Sequence, residues 1–382
     1  AREHRPDVIG LSGLLVKSAQ QMVLTAGDFR AAGLEVPVVV GGAALTRRFT
    51  HRRITPAYGA LCTYAGDAMH GLDLVERLVD ADRRPQLEAE IEALVETDRA
   101  TERPAVSPVA EVVTTRSATV RTDLAAPPPP DLERHVEDLD LDEVWELINP
   151  QMLYGKHLGL KGSVRKLAAD GDAKYVKLER VVEELKAEAR AGSLTAGATW
   201  RFYPASSEGN RLSLADPGNG GPAAVWELPR QTGRDGLCLA DYVLPARDHV
   251  AMFVTTAGGQ VRQRVERWKE AGEYLKSHAF AALALETAEA AAEYLHRRLR
   301  REWGIATDET DSVSDLLAAR YRGKRYSFGY PACPDLEGQR QLFRALAPVE
   351  IGVRLTDGDM MEPEASVSAL VFHHPDARYF GV

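Results

Sequence analysis

Short apolar runs that end in small residues alternate with helical patterns over residues 7–79. Three of these runs are predicted as strands, at residues 7–12, 36–40 and 60–64. Two segments that follow them are predicted as helices, at residues 18–31 and 68–79. This alternation predicts an α/β arrangement with a parallel sheet and crossover helices. A doubly wound domain usually has about five or more strands, so we interpret residues 1–82 as the C-terminal part of a truncated one.

Prolines separate this part of the chain from the rest. Residues 83–102 continue as a polar amphipathic helix, and the proline run 127–130 predicts extended chain, so residues 83–135 are predicted to be a helical and then Pro-rich linker. Beyond it, helices and antiparallel-looking hairpins mix without a repeated strand–helix unit, which predicts an α+β domain with a mixed or antiparallel sheet over 136–382. Its predicted elements are helices at 141–149, 174–191, 261–302 and 312–321 and strands at 198–204, 211–215, 223–228, 250–257 and 366–373.

Composition excludes several classes of protein. Hydrophobic residues make up 45% and charged residues 27% of the chain, as in ordinary globular domains, and no stretch approaches the roughly 18 apolar residues of a membrane span. A formal net charge of −9 argues against a general binder of nucleic acid or anionic membranes. The 3 cysteines lie far apart without a CxxC pair, which favours a reducing compartment and predicts no zinc site. With no signal-peptide pattern, we expect a cytoplasmic protein.

Glycines at the ends of two predicted strands mark one candidate site. Residues 10–13 (GLSG) and the pair Gly41 and Gly42 fall at the carboxyl ends of predicted parallel strands, where open α/β sheets bind ligands. Small residues there would let a large flat cofactor approach the backbone. The same glycines could instead serve only tight turns, and the residues alone leave both interpretations open.

The segment 325–334, RYSFGYPACP, is a second candidate because it concentrates a cation, aromatic rings, a glycine and two prolines, as rigid binding loops do. Arg325 could bind a carboxylate through two hydrogen bonds, and Tyr330 could donate a hydrogen bond or stack. Arg325 could equally be a surface residue beside core aromatics. Near the end of the chain, Tyr379 and Phe380 could stack on a planar ligand or simply pack, which is commoner.

Two polar patterns are assigned no site. Four polar residues recur on one face of the predicted long helix: Glu286, Glu289, Glu293 and His296. Such a face is usually solvated. His373 and His374 resemble metal ligands, but adjacent residues of a strand point to opposite faces, so we predict no shared metal.

Several motifs together resemble one family, the cobalamin-dependent methionine synthases (5-methyltetrahydrofolate–homocysteine methyltransferases). Three segments are similar to the second half of the family's cobalamin-binding domain: DVIGLSGLLVKSAQQMV at 7–23, VVVGGAALT at 38–46 and TYAGDAMHG at 63–71. Four segments are similar to its reactivation domain, which binds S-adenosylmethionine: residues 139–162, RFYPASSEGNRL at 201–212, RYRGKRYSFGYPACPD at 320–335 and FHHPDARYFGV at 372–382. The family's Asp-x-His-x-x-Gly motif, whose histidine binds cobalt, is expected upstream of Asp7. The resemblance therefore implies a C-terminal fragment, with zinc only in the homocysteine module of the parent enzyme.

The resemblance implies cobalamin contacts for five residues: Ser12, Val16, Gly41, Gly42 and Ala68. Ser12 should face the lower side of the corrin, and Val16 stands where relatives often have a hydroxyl. It implies S-adenosylmethionine contacts for seven: Asn149, Glu289, Arg325, Gly329, Tyr330, Tyr379 and Phe380. Arg325 should pair with the methionyl carboxylate inside the loop of Gly329 and Tyr330, and the two C-terminal aromatics should contact the adenosyl group. Asn149 stands where several relatives have Asp, and Glu289 matches a helix carboxylate.

The activity that the resemblance implies is repair of cobalamin. Flavodoxin or an equivalent reductase returns one electron to oxidised, inactive cobalamin while S-adenosylmethionine supplies the methyl group, which regenerates methylcobalamin. This repair serves methyl transfer from 5-methyltetrahydrofolate to homocysteine in the parent enzyme, whose remaining modules are the other expected partners. The alternative is a noncatalytic corrinoid-binding or partner-docking module, which would have no physical need for the RxxxGYP motif.

Overall fold

The computed structural model describes residues 4–13, 16–42, 45–100, 115–232, 235–245, 247–306 and 312–381. The chain folds as two compact units, Ala1–Val112 and Val113–Val382. In the described residues, no helix is long and apolar enough to cross a membrane.

The first unit contains the predicted parallel sheet. Its strands are β1 (Ile9–Ser12), β2 (Val38–Gly41) and β3 (Cys62–Ala65), paired in parallel in the order β1-β2-β3. Its helices are α1 (Val16–Ala31), α2 (Arg47–Phe49), α3 (Thr55–Tyr58), α4 (Ala68–Val79) and α5 (Arg84–Ala100), and a π-helical stretch, Thr50–Ile54, joins α2 to α3. Successive side chains of β2 enter opposite cores, since Val38 and Val40 pack in the core that contains α1 and α3, whereas Val39 packs with α4 and α5. The alternation of strands and helices is therefore confirmed.

Residues 83–135, predicted as a linker, are divided between the two units. Helix α5 buries an apolar stripe, Leu87, Ile91 and Val95, in the first unit's core. The following described segment belongs to the second unit, because Arg116 donates to the carbonyl of Val243 at 2.5 Å and Val120 is buried in that unit's core.

An antiparallel sheet forms the centre of the second unit. Its strands are β4 (His135–Leu139), β5 (Leu194–Glu208), β6 (Arg211–Ala215), β7 (Pro222–Glu227), β8 (Asp248–Gly259), β9 (Lys324–Tyr326) and β12 (Ser366–Phe372), and a separate hairpin comprises β10 (Arg354–Leu355) and β11 (Met361–Glu362). The strand order in the sheet is β7-β6-β5-β8-β12-β9, and β4 also pairs with β5. The predicted α+β class is confirmed, and each of these strand pairs is antiparallel.

Helices cover this sheet. They are α6 (Leu141–Trp145), α7 (Val164–Ala169), α8 (Ala173–Glu188), α9 (Val261–Glu270), α10 (Tyr274–Glu302), α11 (Val313–Leu317) and α12 (Gln339–Leu346), with π-helical segments at Gln151–His157 and Ala189–Ser193 and 3₁₀ turns at Leu239–Tyr242 and Pro348–Ile351. The predicted helix 261–302 is two helices, because the chain turns at Gly272, whose φ of 77° favours glycine. The second helix, α10, lies against the sheet, where Thr255 of β8 donates to the carbonyl of Ala288 at 3.4 Å.

Gly323 and Gly352 allow a test of the close packing at the start of β9. Both have positive φ, 79° and 78°, so alanine should introduce strain of about 1–2 kcal/mol at either position. A Cβ at Gly323 would also lie 3.1 Å from both Ile305 Cδ1 and Phe372 O, whereas nothing lies within 4 Å at Gly352. Overpacking of this kind typically adds about 1–3 kcal/mol, so Gly323→Ala should lower the free energy of unfolding more than Gly352→Ala.

Urea unfolding of the full chain, followed by tryptophan fluorescence, measures this difference. All 5 tryptophans lie in the second unit, so the signal reports that unit alone: Trp145, Trp200, Trp226, Trp268 and Trp303. Equal losses for the two variants would contradict the close approach at Gly323.

Candidate functional site

In the first unit, small residues align at the carboxyl edge of the sheet. Ser12 pairs with Gly41, which in turn pairs with Ala65. Gly42 has a φ of 118°, and a Cβ there would lie 2.2 Å from the carbonyl oxygen of Gly13, so backbone approaches backbone at this point. Tight connections therefore account for Gly42, while the exposed Ser12 and the half-exposed Gly41 form a shelf of small residues beside it, among the residues that the structure describes.

The remaining predicted cobalamin residues lie at helix starts. Val16 is the first residue of α1 and Ala68 is the first residue of α4, and each helix follows a strand of the sheet. Asp67 caps α4 by accepting a hydrogen bond from the amide of His70 at 2.8 Å. The shelf and the two helix starts thus share the edge at which open α/β sheets bind ligands, and the small residues of the shelf fit the close approach of a large flat cofactor.

In the second unit, the polar face of α10 is buried, which corrects the expectation of a solvated face. Glu286 is 5%, Glu293 7% and His296 0% exposed. Glu286 pairs with Nε2 of His157 at 3.0 Å, so this helix face meets other elements instead of water. Buried charges need partners, so oppositely charged or hydrogen-bonding groups are expected among the residues that pack against this face.

Arg325 of β9 lies opposite Glu293. Its Nη1 donates to Glu293 Oε2 at 2.5 Å, and its side chain is 17% exposed. Burial has the largest single effect on Arg325 and opposes its charge, but the surrounding acidic groups, Glu293 first among them, together raise the pKa of Arg325 above its ordinary value. The surface-residue interpretation of Arg325 is therefore wrong, since the guanidinium is a mostly buried, paired cation.

The loop after β9 is closed by its own backbone. Gly329, with a φ of 83°, donates to the carbonyl of Cys333 at 2.9 Å, and the Cys333 amide donates back to Tyr330 at 2.9 Å. The Cys333 thiol is buried and donates to the Ser327 carbonyl at 3.1 Å. These contacts make the segment a tight, locally fixed turn, as predicted for a binding loop.

Tyr330 joins Arg325 in this group. Burial raises the pKa of Tyr330, the negative charge of Glu289 raises it further, and Arg325 opposes this. Glu289 also lies close enough to Arg325 to favour its charge. The structure thus brings together three of the predicted residues, Glu289, Arg325 and Tyr330.

The two C-terminal aromatics have different surroundings. Tyr379 is 54% exposed, and its ring centroid lies 5.5 Å, edge-on, from that of Tyr326, the residue next to Arg325. Phe380 packs against the core, with its ring 6.3 Å from Tyr242. Tyr379 therefore borders the group around Arg325, whereas the contacts of Phe380 are those of a packed residue.

Asn149 has a local structural role. Its Oδ1 accepts hydrogen bonds from the amides of Gln151 at 3.0 Å and Met152 at 3.4 Å, which caps the π-helical segment Gln151–His157. That segment reaches α10 through the pair of His157 with Glu286. Its predicted ligand contact stays a prediction.

Sequence reasoning missed a buried cluster next to Arg325. The Arg300 guanidinium lies 3.8 Å from the Tyr321 ring centroid, with Lys324 4.6 Å from the same ring, and the fully buried His296 packs edge-on against it. Burial lowers the pKa of His296 well below its ordinary value, and the nearby Arg300 lowers it further, so the ring is neutral. The sequence contains a signal for this burial, because α10 has apolar residues on all sides and a helix of that kind is buried.

The two adjacent histidines have partners of their own. His373 Nε2 lies 2.6 Å from Asp248 Oδ1, and His374 Nε2 lies 2.9 Å from the Arg121 carbonyl. Both are buried, although the strand pattern predicts opposite faces, because β12 ends at Phe372. Within the described ranges, no group of three or more His, Cys, Asp or Glu residues could hold a metal ion.

Asp376 anchors the segment that leads to Tyr379. Its carboxylate accepts from the Arg121 side chain, at 2.7 Å from Nη2, and from the Arg121 amide at 3.0 Å. The hydrogen bond from Arg121 lowers the pKa of Asp376 to about 2. The folded-state pKa is thus below that of the unfolded chain, so this contact stabilises the fold above pH ~4 and is lost as pH falls through about 2.

Asp376→Asn should therefore lower stability at neutral pH, modestly because the pair is partly exposed, and flatten the fall in stability between pH ~4 and ~2. Arg121→Gln should produce the same change by removing the cause of the shift. Urea titrations of both variants at several pH values, followed by tryptophan fluorescence, test this. An unchanged pH slope in Asp376→Asn would refute the role of this carboxylate.

Comparisons with known proteins agree on one family. The family described as "Vitamin B12 dependent methionine synthase, activation domain" matches residues 140–382. Two curated methionine synthases, from Mycobacterium tuberculosis (strain ATCC 25618 / H37Rv) and Mycobacterium leprae (strain TN), are each 30% identical to this chain, over 420 and 423 residues. Each match covers 100% of this chain and 35% of the relative, so the chain spans about a third of their length.

A solved structure described as the MetH reactivation domain bound to AdoHcy is also similar. It matches with a TM-score of 0.62 and 26% sequence identity, over 68% of this chain and 84% of that one. The covered share fits the size of the second unit, which contains the group around Arg325.

Proposed function

The chain belongs to the family of vitamin B12 dependent methionine synthase activation domains, and from this premise we propose that its second unit binds S-adenosylmethionine and presents the methyl group for reductive remethylation of cobalamin. The observation that carries the proposal is the buried, charged Arg325, fixed by Glu293 and bordered by Glu289, Tyr330 and Tyr379. The similar reactivation domain is described as bound to AdoHcy, which is what S-adenosylmethionine becomes when it gives up its methyl group.

The residues of this group suit the parts of the proposed substrate. The Arg325 guanidinium can form two parallel hydrogen bonds with the α-carboxylate of the methionyl group. The carboxylate of Glu289 provides negative charge for the ammonium or sulfonium that follows in the same ligand. The half-exposed ring of Tyr379 can stack on the adenine, while Gly329 and Tyr330 form the loop around the methionyl group. Asn149 and Phe380 complete the proposed set of contacts.

We also propose that the first unit contributes to a cobalamin site. Ser12 would face the lower side of the corrin, with Val16 at the start of α1 near it. Three small residues would line the slot for the buried nucleotide tail: Gly41, Gly42 and Ala68. When bound, cobalamin supplies the metal that accepts the methyl group. The protein's part is to orient the sulfonium methyl, since correct placement of two reactants supplies much of the rate of such a transfer.

The expected partners follow from the same proposal. Remethylation of oxidised cobalamin requires one electron, for which we propose flavodoxin or an equivalent reductase, and the product would serve the remaining modules of a methionine synthase. We place the protein in the cytoplasm. The thiols of Cys62, Cys238 and Cys333 are buried and reduced, which suits the reducing conditions there.

Replacing Arg325 tests the proposed substrate. Arg325→Ala should weaken binding of S-adenosylmethionine by about 2 to 5 kcal/mol, the range for removing one partner of a buried charge pair, or roughly 30-fold or more. Arg325→Lys should restore only part of this affinity, because an ammonium cannot reproduce the planar fork of a guanidinium. Isothermal titration calorimetry of the full chain gives the three dissociation constants, and circular dichroism shows whether each variant is folded.

Three equal affinities would remove Arg325 from the site. A wild-type chain that binds no S-adenosylmethionine at millimolar concentration would contradict the proposed function and favour the noncatalytic corrinoid-binding or docking module.

A further inference from the structure

Glu293 makes the direct contact with Arg325, although none of the sequence motifs selects it for a role. We propose that Glu293 is a positioning residue for Arg325: it holds the guanidinium by Nη1, so that the edge formed by Nε and Nη2 is presented to the carboxylate of the ligand. The inference rests on the proposed function, because it assumes a ligand with a carboxylate at Arg325.

The hydrogen bonds of Arg325 leave one edge of the guanidinium available. In the part of the chain that the structure describes, Nη1 donates to Glu293 Oε2, while Nε and Nη2 have no protein acceptor. The side chain is 17% exposed, so its available edge has access from outside the core. A carboxylate needs two adjacent donors for a bidentate contact, and Nε with Nη2 is such a pair.

The burial of Glu293 is not explained by stability alone. The residue is 7% exposed, and its Oε1 is buried without a hydrogen bond among the described residues. A buried carboxylate with an unsatisfied oxygen opposes folding, and apolar residues of similar volume often replace buried ion pairs without loss of stability. A group kept in this state calls for an explanation, and the orientation of Arg325 provides one.

Neighbouring groups restrict how Glu293 can move. Its Oε1 lies 4.0 Å from Nη1 of Arg300, which is fully buried and stacked on Tyr321. Glu293 and Arg300 project from the same helix, α10, and Arg325 projects from strand β9 of the central sheet. The guanidinium is therefore oriented by regular elements, which place functional groups more reproducibly than loops do.

The charges of the cluster also favour this role. Arg300, Lys324 and Arg325 are three cations close together, and His296 is neutral, so the carboxylates of Glu293 and Glu289 offset them. S-adenosylmethionine carries a sulfonium and an ammonium besides its carboxylate, and an uncompensated cluster would repel both. Glu293 thus fixes Arg325 before the ligand arrives, and an arginine already held in place loses less side-chain freedom on binding.

A double-mutant cycle on the full chain tests the inference. Isothermal titration calorimetry with S-adenosylmethionine is performed on the wild type, Glu293→Ala, Glu293→Gln, Arg325→Ala and Glu293→Ala/Arg325→Ala. Glu293→Ala should weaken binding about tenfold, as expected for residues in direct contact, but change affinity less than about threefold when Arg325 is already alanine. Glu293→Gln keeps a hydrogen-bond acceptor without the charge and should lie between Glu293→Ala and the wild type.

Glu286→Gln is the matched control. Glu286 is equally buried on the same helix, but its carboxylate pairs with His157 instead of Arg325. This variant should leave the affinity for S-adenosylmethionine within about twofold of the wild type while changing stability, as disturbing a buried hydrogen-bonded pair does. Urea unfolding of every variant separates an effect on binding from an effect on folding. If Glu293→Ala does not fold, the cycle uses Glu293→Gln, Arg325→Ala and the double variant Glu293→Gln/Arg325→Ala.

A ligand without the carboxylate provides a second readout that a structural role would not affect. Decarboxylated S-adenosylmethionine should lose less affinity on Glu293→Ala than S-adenosylmethionine does, because it offers no carboxylate to the oriented edge of Arg325 and is affected only by the loss of the compensating charge. Additive effects in the cycle, or an equal loss of affinity for both ligands, would overturn the inference and leave the proposed function standing. Absence of S-adenosylmethionine binding by the wild type would overturn both.

Discussion

Burial of charge along one face of α10 is the constraint on which the second unit depends. A carboxylate or guanidinium inside a protein must find a partner, and the partners here come from separate parts of the chain. Glu286 meets His157 of a π-helical segment, Glu293 meets Arg325 of β9, and Arg300 stacks on Tyr321. Each contact joins α10 to a short element or a loop. Strand β9 has only three residues. The position of Arg325 therefore depends both on the pairing of β9 with β12 and on the ion pair with Glu293.

The first unit is organised by a different constraint. Its sheet places short connections side by side, and the contact of Gly42 with the Gly13 backbone leaves no space for a side chain. Among the described residues, the carboxyl edge of the sheet beside this contact carries small side chains, with Ser12 exposed. Glycine has two consequences here: it permits the positive φ of a tight turn, and it leaves only small side chains at the sheet edge. The residues alone therefore could not decide between a turn and a ligand-binding site.

Regular local patterns were sufficient to predict most elements. Strand β6 has the predicted bounds, 211–215, because alternating residues follow a Gly-Asn turn. Strand β5 is longer than the predicted 198–204 at both ends. Residues 194–197 pair with β8, which is distant in sequence, and residues 206–208 pair with β6. Residues 83–135 are divided between the two units because α5 packs its apolar residues in the core of the first unit. Composition alone does not predict such tertiary contacts. The motif around Arg325 selected the candidate site, but the local pattern assigned Glu293 to solvent because spacing on a helix does not show what packs against it.

The surroundings of Tyr379 and Phe380 show how the site combines rigid and adjustable parts. Phe380 is held by the core beside Tyr242, whereas Tyr379 is more than half exposed next to the Arg325 group. The segment before them is fixed by the pair of Arg121 and Asp376, whose arginine side chain is 56% exposed and therefore screened by salt. Arg325 instead is held from a buried helix. A ligand that contacts both would thus meet a preset guanidinium at its carboxylate end and a more adjustable ring at its other end.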